Sequence, residues 1–400
     1  MGKSSRLRKA RYALVILAFA GGGLLWSDVY TPSRIEWVKT TIQGWACWRA
    51  EGLVLQHKTA DGVWATQGYS LYRSEKEGPF EKVVSIPPPF GVAWAGYSRT
   101  LRRLFGYQEL VEVVPLNAEV LVAWSGGWAW RIDLGTGSCE RVFKLRYFGP
   151  HKGRGVTSRI AVDDQGSIYW GEYVTAPGKR PVAAYRSDDE GRTWEKVYEF
   201  EPGEIRHIHG LEWDPYAKVI WLVTGDLDHE CRIGYSEDRG ETFTWVGQGS
   251  QQWRTCALVF MPDHVSWAMD AVTGNQILRW HRQDRRFEVV GPLESQAHYS
   301  KALTEGVGIL GLARDMTSAY FVDDGGAYGK LVEWACPKEL PKGPTGRNTP
   351  FPLVRLARGY NEPCRWVYLN PLRTVDEEAA IFRFASEDVL AKVAESAKAE

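Results

Sequence analysis

The chain has 400 residues, and its 49 Lys and Arg balance 49 Asp and Glu, so the formal net charge is zero. A balanced charge supplies no global field for a polyanion, and no phosphate-binding glycine loop, dinucleotide fingerprint or nucleic-acid motif occurs, so nucleic acid is not an expected partner. Nineteen Trp, 41 Gly and 20 Pro with little helical periodicity point to an all-β protein of many short strands, large enough to bury a core without disulfide staples.

At the N-terminus Lys3, Arg6, Arg8, Lys9 and Arg11 precede an apolar run over residues 12–26. The run is shorter than the roughly 20 residues of a typical spanning helix and fits a secretory signal with Ala18-Phe19-Ala20 as its cleavage site. It fits an uncleaved signal anchor nearly as well, because no charge follows until Asp28. In either case the positive flank places the remainder outside the cytoplasm, and the membrane is a partner only if the segment is retained. Residues 1–26 are therefore read as a signal peptide or signal anchor, 27–46 as a lead-in, 47–385 as the repeating body and 386–400 as a helical tail.

Within the body a β-rich run, a turn and a second aromatic or β-branched run recur at roughly fifty residues, a blade-like period. Second-strand candidates are 52–57, 119–124, 167–172, 219–224, 265–269, 308–313 and 365–369. The stretch Ser187-Asp188-Asp189-Glu190-Gly191-Arg192-Thr193-Trp194 has the form S-x-D-x-G-x-T-W, and it returns one period later as Ser236-Glu237-Asp238-Arg239-Gly240-Glu241-Thr242-Phe243. The Asp can accept backbone N–H bonds in a turn, the Gly supplies a positive φ, the Thr opens the next strand and the aromatic plugs the space between sheets. A degraded copy stands at residues 74–80. The tail carries Ser386-Glu387-Asp388 ahead of Val389-Leu390, a helix-capping pattern.

The octapeptide resembles the Asp-box, the bacterial neuraminidase repeat of sialidases and related glycosyl-hydrolase-like proteins. The resemblance implies an all-β, six- or seven-bladed β-propeller whose boxes lie on outer hairpins away from the centre. It says little about the reaction. A working sialidase needs an arginine triad, a Glu-activated Tyr and an early Arg-Ile-Pro. The nearest match to that motif is Arg34-Ile35-Glu36, without the Pro, and adjacent strand residues such as Glu172 and Tyr173 point to opposite faces. True sialidase activity is not expected.

In a propeller the first strand of each blade lines the channel, and binding sites gather at one mouth. Counting back from the turns puts Arg154 and Arg159, then His207 and His209, then Arg254, then His298 and Tyr299 near that mouth. Positions i and i+2 of a strand share a face, so His207 and His209 can converge, and with Asp226 they form a candidate divalent-metal set. His207, His298 and Tyr299 are candidate catalytic groups for a uronate-acting lyase, and Arg154, Arg159, Arg254 and Glu172 are candidate substrate-binding groups. Glu172, Asp226 and Asp270, which close second strands, keep a carboxylate-pair hydrolase open. The expected ligand is an extracytoplasmic carbohydrate, favoured as an acidic polysaccharide, and the cofactor is either none or a divalent ion. The alternative is a non-catalytic glycan-binding or assembly propeller in which Trp253, Trp267 and Trp280 stack on sugars, although packing between blades is the expected role of most of the tryptophans. The six cysteines show no metal-ligand spacing, and their pairing is not fixed by sequence.

Overall fold

Runs of β-branched and aromatic residues punctuated by Gly, Asn and Asp fold into antiparallel hairpins along the whole chain. The computed structural model describes residues 32–87, 112–149, 154–174, 180–314, 316–338, 351–359, 365–377 and 379–397. The apolar N-terminal segment lies outside them, as do Cys364 and most of the Pro-rich loop over 337–351. Among the described residues no helix is long and apolar enough to cross a membrane.

The strands form successive antiparallel meanders. The first holds Val54–Lys58, Gly62–Gln67, Ser70–Glu75 and Phe80–Ser85, and the second Glu112–Pro115, Val120–Ser125, Trp128–Asp133 and Ser138–Lys144. The third holds Ala161–Val162, Ile168–Gly171, Val182–Ser187 and Glu195–Phe200, and the fourth His207–Asp214, Val219–Gly225, Arg232–Ser236 and Thr244–Gln248. The fifth is Leu258–Phe260, His264–Ala268, Gln276–His281 and Phe287–Pro292.

A nine-stranded sheet follows. In it Gln296–Thr304, Val307–Ala313, Thr317–Asp323 and Tyr328–Trp334 meander like the others. One residue pair, Ala313 with Leu353, joins them to Leu353–Leu356, Trp366–Leu372 and Ala380–Ala385. The N-terminal strand Trp45–Glu51 pairs with Ala380–Ala385, and Val38–Ile42 pairs with Trp45–Glu51, so both ends of the chain share this sheet.

First strands meet one another around the centre. Arg159 bridges to Gly210, the Leu258 N–H donates to Glu212, and Ser300 Oγ donates to the Leu258 carbonyl. Arg358–Gly359 then pairs with His57 and Lys58. Meanders arranged around shared inner strands and closed by the two chain ends make a β-propeller.

Six of the seven second-strand candidates fall on second strands. The exception is 52–57, which covers the innermost strand Val54–Lys58. The lead-in over 27–46 also differs from expectation, since Val38–Ile42 and the start of Trp45–Glu51 are sheet strands rather than an approach to the sheets. The tail is a helix over Ser386–Ser396, with Ala385 at its N-cap and no side-chain cap, so Ser386 does not cap it. Val389 and Val393 bury one helix face in the apolar cluster of the nine-stranded sheet, with Trp334 and Phe384.

The tryptophans explain why the sheets stack. Trp64, Trp124, Trp170, Trp221 and Trp267 each sit on the second strand of one of the first five sheets, and all five are fully buried. Trp124 meets Trp170 of the next sheet at 6.5 Å, and Trp221 meets Trp280 of the next at 5.7 Å. Removing one such indole costs about 3–5 kcal/mol.

The two octapeptides form the outer hairpins of the third and fourth sheets and fold alike. Ser187 Oγ accepts the Gly191 N–H at 2.9 Å, and Asp189 accepts both the N–H (2.8 Å) and the Oγ1–H (2.7 Å) of Thr193. Ser236, Asp238, Gly240 and Thr242 repeat these bonds. The φ values of Gly191 and Gly240, +80° and +92°, are ones that side-chain-bearing residues resist. Trp194 then packs on Trp124 of the preceding sheet, and Phe243 on Tyr198.

Burial opposes the Asp189 charge, but the Thr193 and Ser187 donors outweigh it and hold the carboxyl below its ordinary range. The stability it contributes is thus present above about pH 4 and is lost as pH falls through the lowered value. Asp189→Ala and Asp238→Ala are each expected to cost about 1–2 kcal/mol at neutral pH, read from urea midpoints, with much smaller differences under acid conditions.

Candidate functional site

The site begins where the fourth sheet begins. A β-bulge interrupts the pairing of His207–Asp214 with Val219–Gly225 between Ile208 and Gly210, and His209 is the residue left out of register. The His207 and His209 rings lie 5.0 Å apart. Gly225 permits this, because a Cβ there would stand 2.7 Å from His209 Cε1 and 2.9 Å from Arg254 Cγ.

Each imidazole is anchored through Nδ1, which donates to the Val174 carbonyl from His207 (2.7 Å) and to the Thr255 carbonyl from His209 (2.8 Å). Both Nε2 atoms are thereby turned toward Asp226, whose Oδ1 lies 3.9 Å from that of His207 and 3.6 Å from that of His209. Burial and the neighbouring His209 push His207 down to about 3, so it is neutral at physiological pH with an open Nε2 lone pair.

Asp226 stands between two arginines. Arg206 Nη1 reaches Oδ2 at 2.9 Å, and Arg254 Nη2 reaches Oδ1 at 3.0 Å while its Nη1 binds the Asp226 carbonyl at 3.0 Å. Burial opposes the Asp226 charge, yet His209, His207 and Arg254 hold it well below the usual carboxylate range. Arg254 Nη2 also reaches Asp270 Oδ2 at 3.3 Å, and the other Asp270 oxygen lies 3.0 Å from His298 Nε2. Cys256 Sγ sits 3.5 Å from Asp270 Oδ2 and 3.7 Å from His209 Nδ1, and burial pushes its thiol up. Tyr173 stacks on His207 with the ring centroids 4.0 Å apart, and the Arg154 guanidinium lies 4.4 Å from the Tyr173 ring centroid.

The structure thus gathers Arg154, His207, His209, Asp226, Arg254 and His298 of the expected residues. Three others lie elsewhere. The Arg159 guanidinium is over the Tyr299 ring at 4.7 Å, deeper among the inner strands, and Tyr299 belongs to the apolar cluster of the nine-stranded sheet. Glu172 turns away to Arg146, the Ala183 N–H and Tyr185. Glu172 and Tyr173 indeed face opposite ways. Arg34 lies on the outermost strand of the first sheet, remote from the inner strands that build the site.

Sequence reasoning left Tyr173, Arg206 and Cys256 out of the working set and kept Asp270 only for a carboxylate-pair hydrolase. Cys256 had a signal, standing two residues past Arg254 as His209 stands two past His207. Trp267 and Trp280 are buried between sheets, and half-buried Trp253 packs on Trp267 and Phe287, so these indoles serve packing. Cys47, Cys139, Cys231, Cys256 and Cys336 are free thiols.

The donor set fits a divalent ion. One ligand atom from each of His207, His209 and Asp226 lies within 4.8 Å of the others, and both imidazoles have the Nδ1-to-carbonyl anchoring that orients metal-binding histidines. Arg254 already shares Asp226 Oδ1, which weakens that arm of the set. Among the described residues the buried His207 Nε2 has no hydrogen-bond partner, while Asp270 Oδ1 and His298 Nε2, 3.0 Å apart, have none but each other.

No protein-family model matches the sequence, and no curated protein matches it. Among solved structures the chain is similar to an oligogalacturonate lyase in complex with manganese, at 8% identity and a TM-score of 0.55, over 88% of this chain and 96% of that one. The oligogalacturonate lyase of Vibrio parahaemolyticus gives the same values. A chain of the mitotic checkpoint complex follows at 10% identity and a TM-score of 0.50, over 89% and 95%. At such identities the likeness establishes the fold, a β-propeller, and leaves the chemistry to the site.

Proposed function

We propose that the chain is an exported, seven-bladed Asp-box propeller that cleaves acidic oligosaccharides by a lyase-type elimination at the His207–His298 site. The observation that carries this reading is the meeting of two anchored imidazoles, two aspartates and a third histidine around the buried, unpartnered Nε2 of His207. Native proteins leave few such atoms unpaired, so it marks where a metal or polar ligand belongs. The fold likeness to oligogalacturonate lyases agrees with an acidic sugar. The basic N-terminal flank and its apolar run support an extracytoplasmic location, tethered to the membrane if the segment is retained.

A divalent ion bound by His207, His209 and Asp226 would supply positive charge that neutralises a uronate carboxylate and acidifies the adjoining C–H. His298, whose Nε2 is held by Asp270, takes that proton at its other ring nitrogen, Nδ1. The released electron pair forms the carbon–carbon double bond as the bond to the leaving glycosidic oxygen breaks, and that oxygen is protonated from water. Asp270, 3.0 Å from His298, stabilises the imidazolium that results. Arg154, held over Tyr173, is placed to receive the substrate carboxylate. Arg254 has both terminal nitrogens on Asp226 and Asp270, which makes it a positioning residue.

The test is turnover of oligouronates followed by the ultraviolet absorbance of the new conjugated double bond. His298→Ala is expected to lower the rate about 10²-fold with the thermal transition kept. His207→Ala should lose the bound divalent ion, read by elemental analysis. Full turnover in His298→Ala would remove it from the reaction, and glycan binding without any product from the wild type would establish the binding-module alternative.

A further inference from the structure

One oxygen at the site is claimed by two kinds of cation. Asp226 Oδ1 faces both imidazoles, 3.9 Å from His207 Nε2 and 3.6 Å from His209 Nε2, which makes it the carboxylate oxygen of the candidate ligand set. The same oxygen receives Arg254 Nη2 at 3.0 Å, and Arg254 Nη1 binds the Asp226 carbonyl, also at 3.0 Å. Arg206 holds the opposite oxygen, Oδ2, at 2.9 Å. Two guanidiniums thus serve one carboxylate, and of the two only Arg254 sits on the oxygen turned to the histidines.

Arg254 has a second partner within reach. Its Nη2 lies 3.3 Å from Oδ2 of the buried Asp270, so a guanidinium released from Asp226 Oδ1 keeps a carboxylate. Its stem is crowded into the same space as the His209 ring. A Cβ on Gly225 would meet both, His209 Cε1 at 2.7 Å and Arg254 Cγ at 2.9 Å. An ion bonded to Oδ1 would stand close to the Nη2 that already binds that oxygen, and like charges so near one another repel strongly in a largely buried setting.

We propose that Arg254 and a divalent ion compete for Asp226 Oδ1, so that the ion binds by displacing Arg254 toward Asp270. The inference rests on His207, His209 and Asp226 being the ion's ligands, and it adds that the protein carries its own competitor for that place. An outer-shell arginine would behave in the opposite way, keeping its bond and orienting the ligating carboxylate. The position of Arg254 decides between the two roles. Arg206 already orients the carboxylate from Oδ2, whereas Arg254 occupies the oxygen that the ion needs and has Asp270 to receive it. Because Asp270 also holds His298 Nε2 at 3.0 Å, ion binding and the setting of His298 are linked through this one side chain.

The first measurement is the affinity of the folded chain for Mn²⁺, by titration calorimetry at fixed ionic strength so that screening is constant. Arg254→Met is expected to bind Mn²⁺ at least about tenfold more tightly than the wild type, since a unit charge is removed from beside the ion. Arg206→Met removes the same charge from the opposite oxygen and is expected to bind no more tightly, since an outer-shell partner is lost. Equal tightening in both variants would reduce the effect to net charge, and weaker binding by Arg254→Met would make that residue an outer-shell partner. Either result overturns the proposal. Arg254→Met also lowers stability, so the second measurement uses the wild type alone, in a crystal saturated with Mn²⁺ and located by anomalous scattering. A peak on His207, His209 and Asp226 with Arg254 gone from Oδ1 supports the exchange, and the same peak with Arg254 still bonded to Oδ1 overturns it. A saturated crystal with no Mn²⁺ on those three residues overturns the ligand set itself, and the competition with it.

Discussion

Arg254→Met is expected to lower the stability of the folded chain by about 3–5 kcal/mol, because it strands the buried Asp270 carboxylate and the half-buried Asp226 carboxylate at once. Arg254 reaches Asp226 through Oδ1 and the backbone carbonyl, and Asp270 through Oδ2. Burial opposes both aspartate charges. Asp270 is held well below the ordinary carboxylate range against that burial by His298, His209 and Arg254. With the guanidinium gone, Asp226 keeps Arg206 and Asp270 keeps His298, so the loss is large but not that of two bare ions.

Lysine is not a substitute here. A single ammonium cannot hold a backbone carbonyl and two carboxylates with the fixed fork of Arg254. Arg254→Lys should therefore recover less than half of the loss. The check is a set of urea denaturation curves for Arg254→Met, Asp270→Asn and the double variant. Coupling predicts that the double variant is more stable than the sum of the single losses allows. Additive losses would show that Arg254 acts by packing alone.

The parts of the fold that were legible in the sequence are those written in local chemistry. The hairpins at Asp189 and Asp238 follow from donors and acceptors four residues apart, and the buried second-strand tryptophans recur at the blade period. The first strand at Val54–Lys58 was misplaced for a non-local reason. Trp45–Glu51 is spent in the sheet made by the C-terminal strands, so the first meander starts one strand later than the chain suggests.

The site divides along the same line. The i, i+2 spacing brought out His207 and His209, and the turn register brought out Arg254 and His298. Counting from turns does not fix depth along the channel, so it grouped Arg159 and Tyr299 with them. Those two instead meet Arg355 and Arg358, which reach the channel only through the closing strands at the far end of the chain.

Glu172 gives the second large effect. Glu172→Ala should cost about 2–4 kcal/mol, since it removes the acceptor of the buried Ala183 N–H (2.9 Å), both bonds from Arg146 (2.9 and 2.5 Å) and the Tyr185 hydroxyl contact. Arg146 is 35% exposed and keeps Glu199 and the Pro181 carbonyl, so it is not left bare.

Glu172→Gln should behave differently. Burial raises the Glu172 carboxyl above its ordinary value even though Arg146, Ala183 and Tyr185 pull it down. For Arg146 burial also opposes the charge, but the Glu172 partner outweighs it and holds the guanidinium above its range. The desolvation thus falls mainly on the carboxylate.

A carboxyl raised on folding contributes stability that is full below about pH 4.3 and is lost as pH rises through the folded value. The wild type should therefore lose stability over that rise. Glu172→Gln, which keeps an acceptor for Ala183 and cannot ionise, should lack the slope and stay within about 1 kcal/mol of wild type at neutral pH. Turnover or glycan binding measured below the transition should be unchanged in both variants, because the side chain faces Arg146 and Tyr185 while Tyr173 faces His207. A fall in activity in a folded Glu172→Gln would return this carboxylate to the substrate.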